Sequence, residues 1–442
     1  MKTTNNYIID LFCGAGGTTT GISLANTNTK VVACVNHDAI AIQSHLENHP
    51  ECEHFTEDIR DFSVVLKLKK IVDKLRLSDP GCFITIWASL ECTNFSIAKG
   101  GLPRDADSRT LANSLFMYLD TLLPDYLKIE NVKEFMSWGG LDENGKPISK
   151  LKGIDYLKWV DSIKKRGFDY DFKVLNCADF NCYTSRVRYF GLFAKKGLPM
   201  SFPLPTTANN RKAVREVLDL TNKGADLFIK KRSDKTIRRI LLGCQKAIGK
   251  ENFMTSYYGN GQSHSIDAPC NTLTTKDRYA LHYIHYDYSS LTTSSIDAPA
   301  GTFTTTPKHN LITLEWLFDN QYNRNYKSIN EPCMTIIARQ DKKPIYLLQA
   351  ERGYPDNFIK KDDSATVIEL KEFMIQNCIK AIYIRMLTIE EMLLIQGFPK
   401  DYILRGTKAN QTKFIGNSVP PPFVAEWIKT QQEAINEFVN AA

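Results

Sequence analysis

No Cys-x-x-Cys pair occurs anywhere in the chain, although it holds 11 cysteines. That absence removes the usual zinc-ribbon and thioredoxin-like signatures. The cysteine count is odd, and Met1-Lys2-Thr3-Thr4-Asn5-Asn6 has no apolar h-region behind it. Both point away from a secreted, disulfide-stapled protein and toward an intracellular one with free thiols, placed in the cytoplasm. No apolar run approaches the length of a membrane span, so no membrane partner is expected. Charge of neither sign dominates. The net charge is +7 and the pI about 8.7, which is compatible with a polyanion partner without demanding one. No metal site is expected either. His37, His45, His49, Cys52 and His54 crowd one stretch, and His45 and His49 could share a helix face. They lack a second cysteine pair, and the spacing fits an ordinary polar helix face.

What is present is a regular alternation of short apolar strands and helical stretches, in a chain of 442 residues that can hold two or three domains. Tyr7-Ile8-Ile9-Asp10-Leu11-Phe12 reads as a strand, followed by the loop Cys13-Gly14-Ala15-Gly16-Gly17 and a helix through Ala25. Strand, glycine loop and helix form the nucleotide-binding turn of a doubly wound α/β fold. The glycines let the backbone turn tightly and let a ligand approach. A tight turn with no ligand has the same pattern. Val31-Val32-Ala33-Cys34-Val35 is a second strand, ending at Asn36-His37-Asp38, where such folds place a ribose-binding group. Asp58-Ile59 closes a third strand, and a polar residue followed by an apolar one suits the edge and face of an adenine ring.

Cys82-Phe83-Ile84-Thr85-Ile86-Trp87-Ala88 is continuous rather than alternating, as a buried parallel strand is. Cys92 follows within the stretch Ser89-Leu90-Glu91-Cys92-Thr93-Asn94-Phe95-Ser96, beyond the strand end where open α/β sheets bind ligands. Taken alone, Cys92 could equally be a small buried apolar residue. Tyr126-Leu127-Lys128-Ile129 is a further strand and ends on Glu130-Asn131-Val132, so a carboxylate sits at the same sheet edge. Tyr183 to Ala194 reads as one strand with Arg186 and Arg188 on a common face. Two arginines there are costly to bury without anions, or else mark a solvated edge.

After Pro203-Leu204-Pro205 the alternation stops until about residue 376. Within this region Ser265-Ile266-Asp267-Ala268-Pro269, Ser295-Ile296-Asp297-Ala298-Pro299 and Ser328-Ile329-Asn330-Glu331-Pro332 each lead into a threonine-bearing segment. The copies begin 30 and then 33 residues apart (265, 295, 328) and predict a small β-rich module with internal repetition. Tyr383 to Gln396 reads as a helix with Thr388 as N-cap, closed by Gly397-Phe398-Pro399. Gly416-Asn417-Ser418-Val419-Pro420 then leads into a terminal helix.

In this order the motifs resemble those of the cytosine-5 DNA methyltransferase family along nearly the whole chain. Asp10 to Gly17 resembles the cofactor loop, and Cys92 with Phe95-Ser96 the nucleophile motif. Glu130-Asn131-Val132 matches the Glu-Asn-Val motif, and Arg186 and Arg188 the last two positions of Gln-x-Arg-x-Arg. Arg385 to Pro399 and Gly416 to Pro420 match the two closing motifs. Three positions depart from the family pattern. Glu91-Cys92-Thr93 stands for Pro-Cys-Gln, Thr184 for Gln, and Asn36 for the acidic residue at the ribose. A subset of the family, often phage-associated, is similar in carrying Glu before the cysteine.

The resemblance implies a Rossmann-like, S-adenosylmethionine-dependent methyltransferase domain with an inserted β-rich target-recognition domain. Residues 1–200 and 376–442 would form the catalytic part and 201–375 the recognition part. It implies Cys92, Glu130, Arg186 and Arg188 as catalytic residues. Phe12, Gly14, Ala15, Gly16, Gly17, Asn36, His37, Asp58, Ile59, Asn417, Ser418 and Val419 would hold the cofactor. The expected partner is double-stranded DNA, bound by a monomer in a prokaryotic or phage-infected cell, with a cognate restriction endonuclease beside it. A transfer-RNA cytosine-5 methyltransferase and a catalytically silent DNA-binding homologue remain open. A Rossmann dehydrogenase would explain residues 7 to 38 but leave Cys92, Glu130 and the arginine pair without a joint role.

Overall fold

The unbroken apolar runs become the centre of one sheet. Strands β1 (Asn6–Leu11), β2 (Thr29–Asn36), β3 (Glu53–Thr56), β4 (Phe83–Ser89) and β5 (Tyr126–Asn131) pair in parallel. An antiparallel pair, β6 (Phe168–Asn176) and β8 (Val187–Lys195), extends the sheet, with β8 against β5. The order is β3-β2-β1-β4-β5-β8-β6. The chain leaves β1 toward β2 and β3 and returns to β4 on the other side of β1. The crevice between the ends of β1 and β4 is therefore the topological switch point of a doubly wound α/β sheet.

The computed structural model describes residues 4–90, 111–139, 148–149, 152–248, 327–336, 338, 345–352, 359–377 and 379–441. It also describes short strands at 253–256, 263–265, 279–281, 284–286, 292–294 and 314–319. Two compact units emerge, one of residues 1–219, 329–344 and 387–442, the other of residues 220–328 and 345–386. Among the described residues, no helix is long and apolar enough to cross a membrane.

In the first unit, helices cover both faces of the sheet. α1 (Gly17–Ala25) and the terminal helix Pro421–Ala441 lie on one face, where Ile22, Phe423, Val424, Trp427 and Ile428 are buried with Trp87 and Phe190. α3 (Phe62–Ser78) and the helices Leu115–Leu122 and Ile154–Lys164 cover the other, with Val65, Leu68, Leu119 and Trp159 in its core. α2 (Ala39–Asn48) starts on Asp38, whose carboxylate accepts the N–H groups of Ile40 and Ala41. Gly21 is where α1 meets the terminal helix: a Cβ there would lie 2.5 Å from Val424 Cβ.

The second unit holds a five-stranded antiparallel sheet that includes Leu314–Asp319, Ile345–Arg352 and Ile379–Met386. The helices Asp234–Ile248 and Ala365–Gln376 pack on it through Ile240, Cys244, Leu370 and Met374. Three shorter strands and a hairpin follow Phe253. This unit is β-rich, as the Thr-rich repeats suggest.

Four expectations change. Residues 183 to 194 are not one strand: the short strand β7 (Thr184–Ser185) ends before Arg186, and β8 starts after it. β7 pairs in parallel with Cys333–Met334 instead, while Cys177 N–H donates to the Arg186 carbonyl. That pairing draws the third repeat copy into the first unit, where Ile329, Cys333, Met334 and Ile336 are buried. Tyr383 to Met386 is strand rather than helix, because Ile382 and Ile384 alternate into the core of the second unit between two antiparallel neighbours. Only Ile389–Gln396 is helical, with the Thr388–Glu391 capping box at its start. The units accordingly change over at 219/220, 328/329, 344/345 and 386/387 rather than at 200/201 and 375/376 alone.

Lys128 is the least comfortable residue of the fold. It lies at the middle of β5, fully buried, with Nζ 3.9 Å from the Trp427 ring centroid and 6.0 Å from that of Trp87. Among the described residues its Nζ has no hydrogen-bond partner. Burial pushes its pKa well below the usual lysine range. The folded chain therefore gives up this proton at a lower pH than the unfolded one, and the penalty shrinks as pH rises between the two toward the unfolded lysine value of about 10.4. Lys128→Met is expected to raise stability by roughly 1–3 kcal/mol at pH 7 and to flatten this rise toward pH 9. Urea unfolding at the two pH values checks both; a less stable variant would refute the account.

Candidate active site

β1 ends at Leu11, and Phe12 follows with φ 61°, a left-handed conformation that is uncommon outside glycine. Gly14 at φ 55° and Gly16 at φ 101° continue the turn into α1. The result is a cavity of about 320 Å³ at the switch point, wholly within the first unit. Phe12, Gly14, Ala15 and Gly17 line it together with Asn417, Ser418 and Val419. Asn36 and His37 at the end of β2, Ser89 and Leu90 at the end of β4, and Glu130 at the end of β5 complete it with Arg186 and Arg188. Cys92, Glu91, Phe95, Ser96 and the loop to Arg104 lie outside the described residues; β4 ends three residues before Cys92.

Three of the expected cofactor residues are not part of the lining. Gly16 sits behind the loop: a Cβ there would be 2.3 Å from Tyr402 Oη and 3.2 Å from His49. Tyr402 Oη donates to the Ala15 carbonyl and so fixes the back of the loop. Asp58 forms an exposed ion pair with Arg60 at 2.6 Å, which holds its carboxyl below the usual range. Ile59 is buried, and its carbonyl accepts from Tyr118 Oη at 2.8 Å. Lys413 and Phe414, by contrast, line the cavity. They precede Asn417 by four and three residues on the helix Lys408–Asn417, and that helical spacing was the available signal. Lys413 Nζ also pairs with Asp38 at 2.9 Å.

The charged groups form a graded set. Arg188 Nε lies 3.3 Å from Glu130 Oε1, and both side chains are largely shielded from solvent. Arg186 is more deeply buried and donates from Nη1 to the Gly416 carbonyl at 3.0 Å, tying the segment before β8 to the closing motif. The two arginines therefore do different work rather than sharing one strand face. Burial raises the Glu130 pKa, while the charges of Arg186 and Arg188 pull it back. A carboxyl so placed keeps its proton to a higher pH than a free one and can donate it to a buried ligand edge.

The cavity suits a flat, polar, adenosine-sized ligand. A Cβ on Gly14 would meet no atom within 4 Å, so the loop presents bare backbone to open space. Asn131, also in the lining, has a buried Nδ2 donor with no partner among the described residues. Asn36 Oδ1 is occupied by the Asp38 N–H at 2.9 Å, so its amide rather than a carboxylate faces any ribose here.

The profile of the C-5 cytosine-specific DNA methylase family matches residues 7–433. A Type II methyltransferase, M.XorII of Xanthomonas oryzae, is 30% identical over 201 residues, covering 45% of this chain and 43% of that protein. A tRNA (cytosine(38)-C(5))-methyltransferase of Rattus norvegicus is 26% identical over 204 residues, covering 45% and 44%. These alignments thus span less than half of either relative. Among solved structures, a DNMT2 variant of Spodoptera frugiperda superposes with a TM-score of 0.52 at 16% identity, covering 97% of this chain and 99% of that one. That likeness concerns the fold.

The back of the glycine loop gives a direct test. Gly16→Ala should destabilise the protein by about 2 kcal/mol or more, from left-handed strain and the collision with Tyr402. Adding Tyr402→Phe should recover part of that loss, so the double variant falls short of the summed single losses. Thermal unfolding of the four proteins measures the coupling, and a neutral Gly16→Ala would refute the close approach.

Proposed function

This chain belongs to the C-5 cytosine-specific DNA methylase family, and from that premise we propose that it methylates carbon-5 of a cytosine flipped out of a specific duplex DNA sequence. The observation that carries the reading is the Glu130–Arg188 pair at the sheet edge, in the same cavity as the glycine loop. When bound, S-adenosylmethionine, the methyl donor of this family, supplies the methyl group that carbon-5 takes up.

Carbon-5 of cytosine is a weak nucleophile. Addition of the Cys92 thiolate at carbon-6 makes the ring enamine-like and divides one hard step into easier ones. Glu130, protonated or sharing a proton, hydrogen-bonds the N3 and amino edge and relieves the charge that builds as sulfur adds. Arg188 holds Glu130 in place and binds the cytosine carbonyl oxygen. Arg186, fixed on Gly416, positions the closing motif over the cavity. Loss of the carbon-5 proton and departure of the Cys92 sulfur restore the aromatic ring and the free cysteine. None of these groups reaches carbon-6 inside a duplex, so the base is extruded.

The second unit is the target-recognition region in this reading. The antiparallel sheet and repeat-bearing strands would read base edges while lysines and arginines hold phosphates. In this reading the protein acts as a monomer in the cytoplasm, either paired with a cognate restriction endonuclease or as an orphan or phage enzyme. The match to the rat tRNA enzyme supports a second reading, with transfer RNA as the substrate.

Incubation with tritiated cofactor and either duplex DNA or transfer RNA separates the two. Label in DNA, absent with Cys92→Ser, is the expected result; label in transfer RNA alone would overturn the DNA reading. Glu130→Gln should lower kcat by about 100-fold or more. The wild-type rate should fall as pH rises through the raised Glu130 pKa, because the donating proton is lost. A Glu130→Gln enzyme within about twofold of wild type would remove Glu130 from the mechanism.

A further inference from the structure

Cys34, His45, Cys52 and His54 come from three separate elements and meet beneath the cofactor loop. Cys34 is on β2, His45 on α2, Cys52 in the turn after α2 and His54 on β3. The parallel register sets Cys34 directly opposite His54. One donor atom from each residue lies within 4.8 Å of all the others. Cys34 Sγ is 3.8 Å from His45 Nδ1, Cys52 Sγ is 3.8 Å from His54 Nε2, and the two imidazole nitrogens are 2.9 Å apart. In a tetrahedral site with zinc–sulfur and zinc–nitrogen bonds of ordinary length, donors are separated by about 3.3–3.8 Å. Two of these separations fall at that upper limit, and the imidazoles need open by only a few tenths of an ångström.

We propose that these four side chains bind one divalent metal ion of the zinc class and that the ion braces the cofactor loop. Two thiolates and two imidazoles are soft to borderline donors, which select zinc over magnesium or calcium. Binding displaces the two thiol protons, so one divalent cation and two thiolates leave the buried site with no net charge. That neutrality removes most of the cost of burying an ion.

The outer contacts are those of a ligating histidine. With Nδ1 on the metal, His45 Nε2–H donates to Thr19 Oγ1 at 2.9 Å, and Thr19 donates to Asp10 Oδ2 at 3.2 Å. Thr19 is on α1 and Asp10 on β1, so the chain of contacts reaches both flanks of the glycine loop. His49 is a neighbour and not a ligand: its Nε2 faces Thr20 Oγ1 at 2.9 Å, and Thr20 donates to the Gly16 carbonyl. His54 is only half-buried on the edge strand β3, which gives an ion a way in. A metal-free histidine pair with two packing thiols is the competing arrangement.

Metal content distinguishes them without reference to methyl transfer. The full-length protein is purified under reducing conditions without chelator, analysed for zinc by mass spectrometry, and reloaded with zinc or cobalt(II) after stripping. The expected result is about one ion per chain, a tetrahedral thiolate–cobalt spectrum, and a higher Tm with metal than without. Cys52→Ser and His54→Gln should each weaken zinc binding by at least about tenfold in competition with a chromophoric chelator, while His49→Gln retains it. His54→Gln, on the half-buried edge, decides the matter if Cys52→Ser does not fold. Folded wild type that takes up less than about a tenth of an ion per chain, before and after loading, overturns the proposal. So does unchanged affinity in a folded His54→Gln variant.

Discussion

The closure of the chain's end onto its beginning is the constraint on which the site depends. α1 can approach the terminal segment only because Gly17 and Gly21 have no side chain: a Cβ at Gly17 would stand 2.7 Å from the Val419 carbonyl oxygen, and one at Gly21 would strike Val424. This contact joins residues some 400 positions apart and brings Asn417, Ser418 and Val419 into the cavity lining beside the glycine loop. Gln432 reinforces it by accepting from Thr29 Oγ1 at 2.7 Å and donating to the Thr4 carbonyl at 2.9 Å. The second unit leaves and rejoins the chain between these ends, so its insertion does not interrupt the sheet that holds the cavity.

Burial at the sheet's centre then sets the chemistry. All six residues of β5 are buried, including Lys128, Glu130 and Asn131. The same strand thus carries an unsolvated lysine amino group covered by Trp427 and, two residues later, a carboxyl held beside Arg188. Burial does not alternate along it because helices cover both faces of the sheet. A polar residue in such a strand has a high cost unless a partner is built for it. Glu130 has one within the cavity; among the described residues Lys128 has only aromatic faces.

Much of the fold was legible in local pattern. Continuous apolar runs marked the parallel strands, Thr388 marked a helix start and Gly397 its end, because each reflects contacts within a few residues. The pattern failed where a distant segment intervened. Arg186 looked like the interior of a strand, but Cys333–Met334 captures Thr184–Ser185 and the backbone breaks there. Ser328 to Ile336 looked like a third repeat of the recognition module, yet its apolar residues are buried in the first unit. Asp58 and Ile59 had the alternation of a purine site, but Asp58 pairs with its neighbour Arg60 and the Ile59 carbonyl accepts from the distant Tyr118.

The sequence by itself determined the alternation of strands and helices, the glycine loop and the family, because these rest on short-range periodicity and on motifs in a fixed order. Tertiary structure alone decided which residues share the cavity, how the two arginines divide their roles, and that Cys34 joins His45, Cys52 and His54. Cys34 is separated from His54 by 20 positions (54 − 34), and no spacing rule links them. They become neighbours only when β2 and β3 pair in parallel register, since that pairing fixes which side chains stand opposite one another.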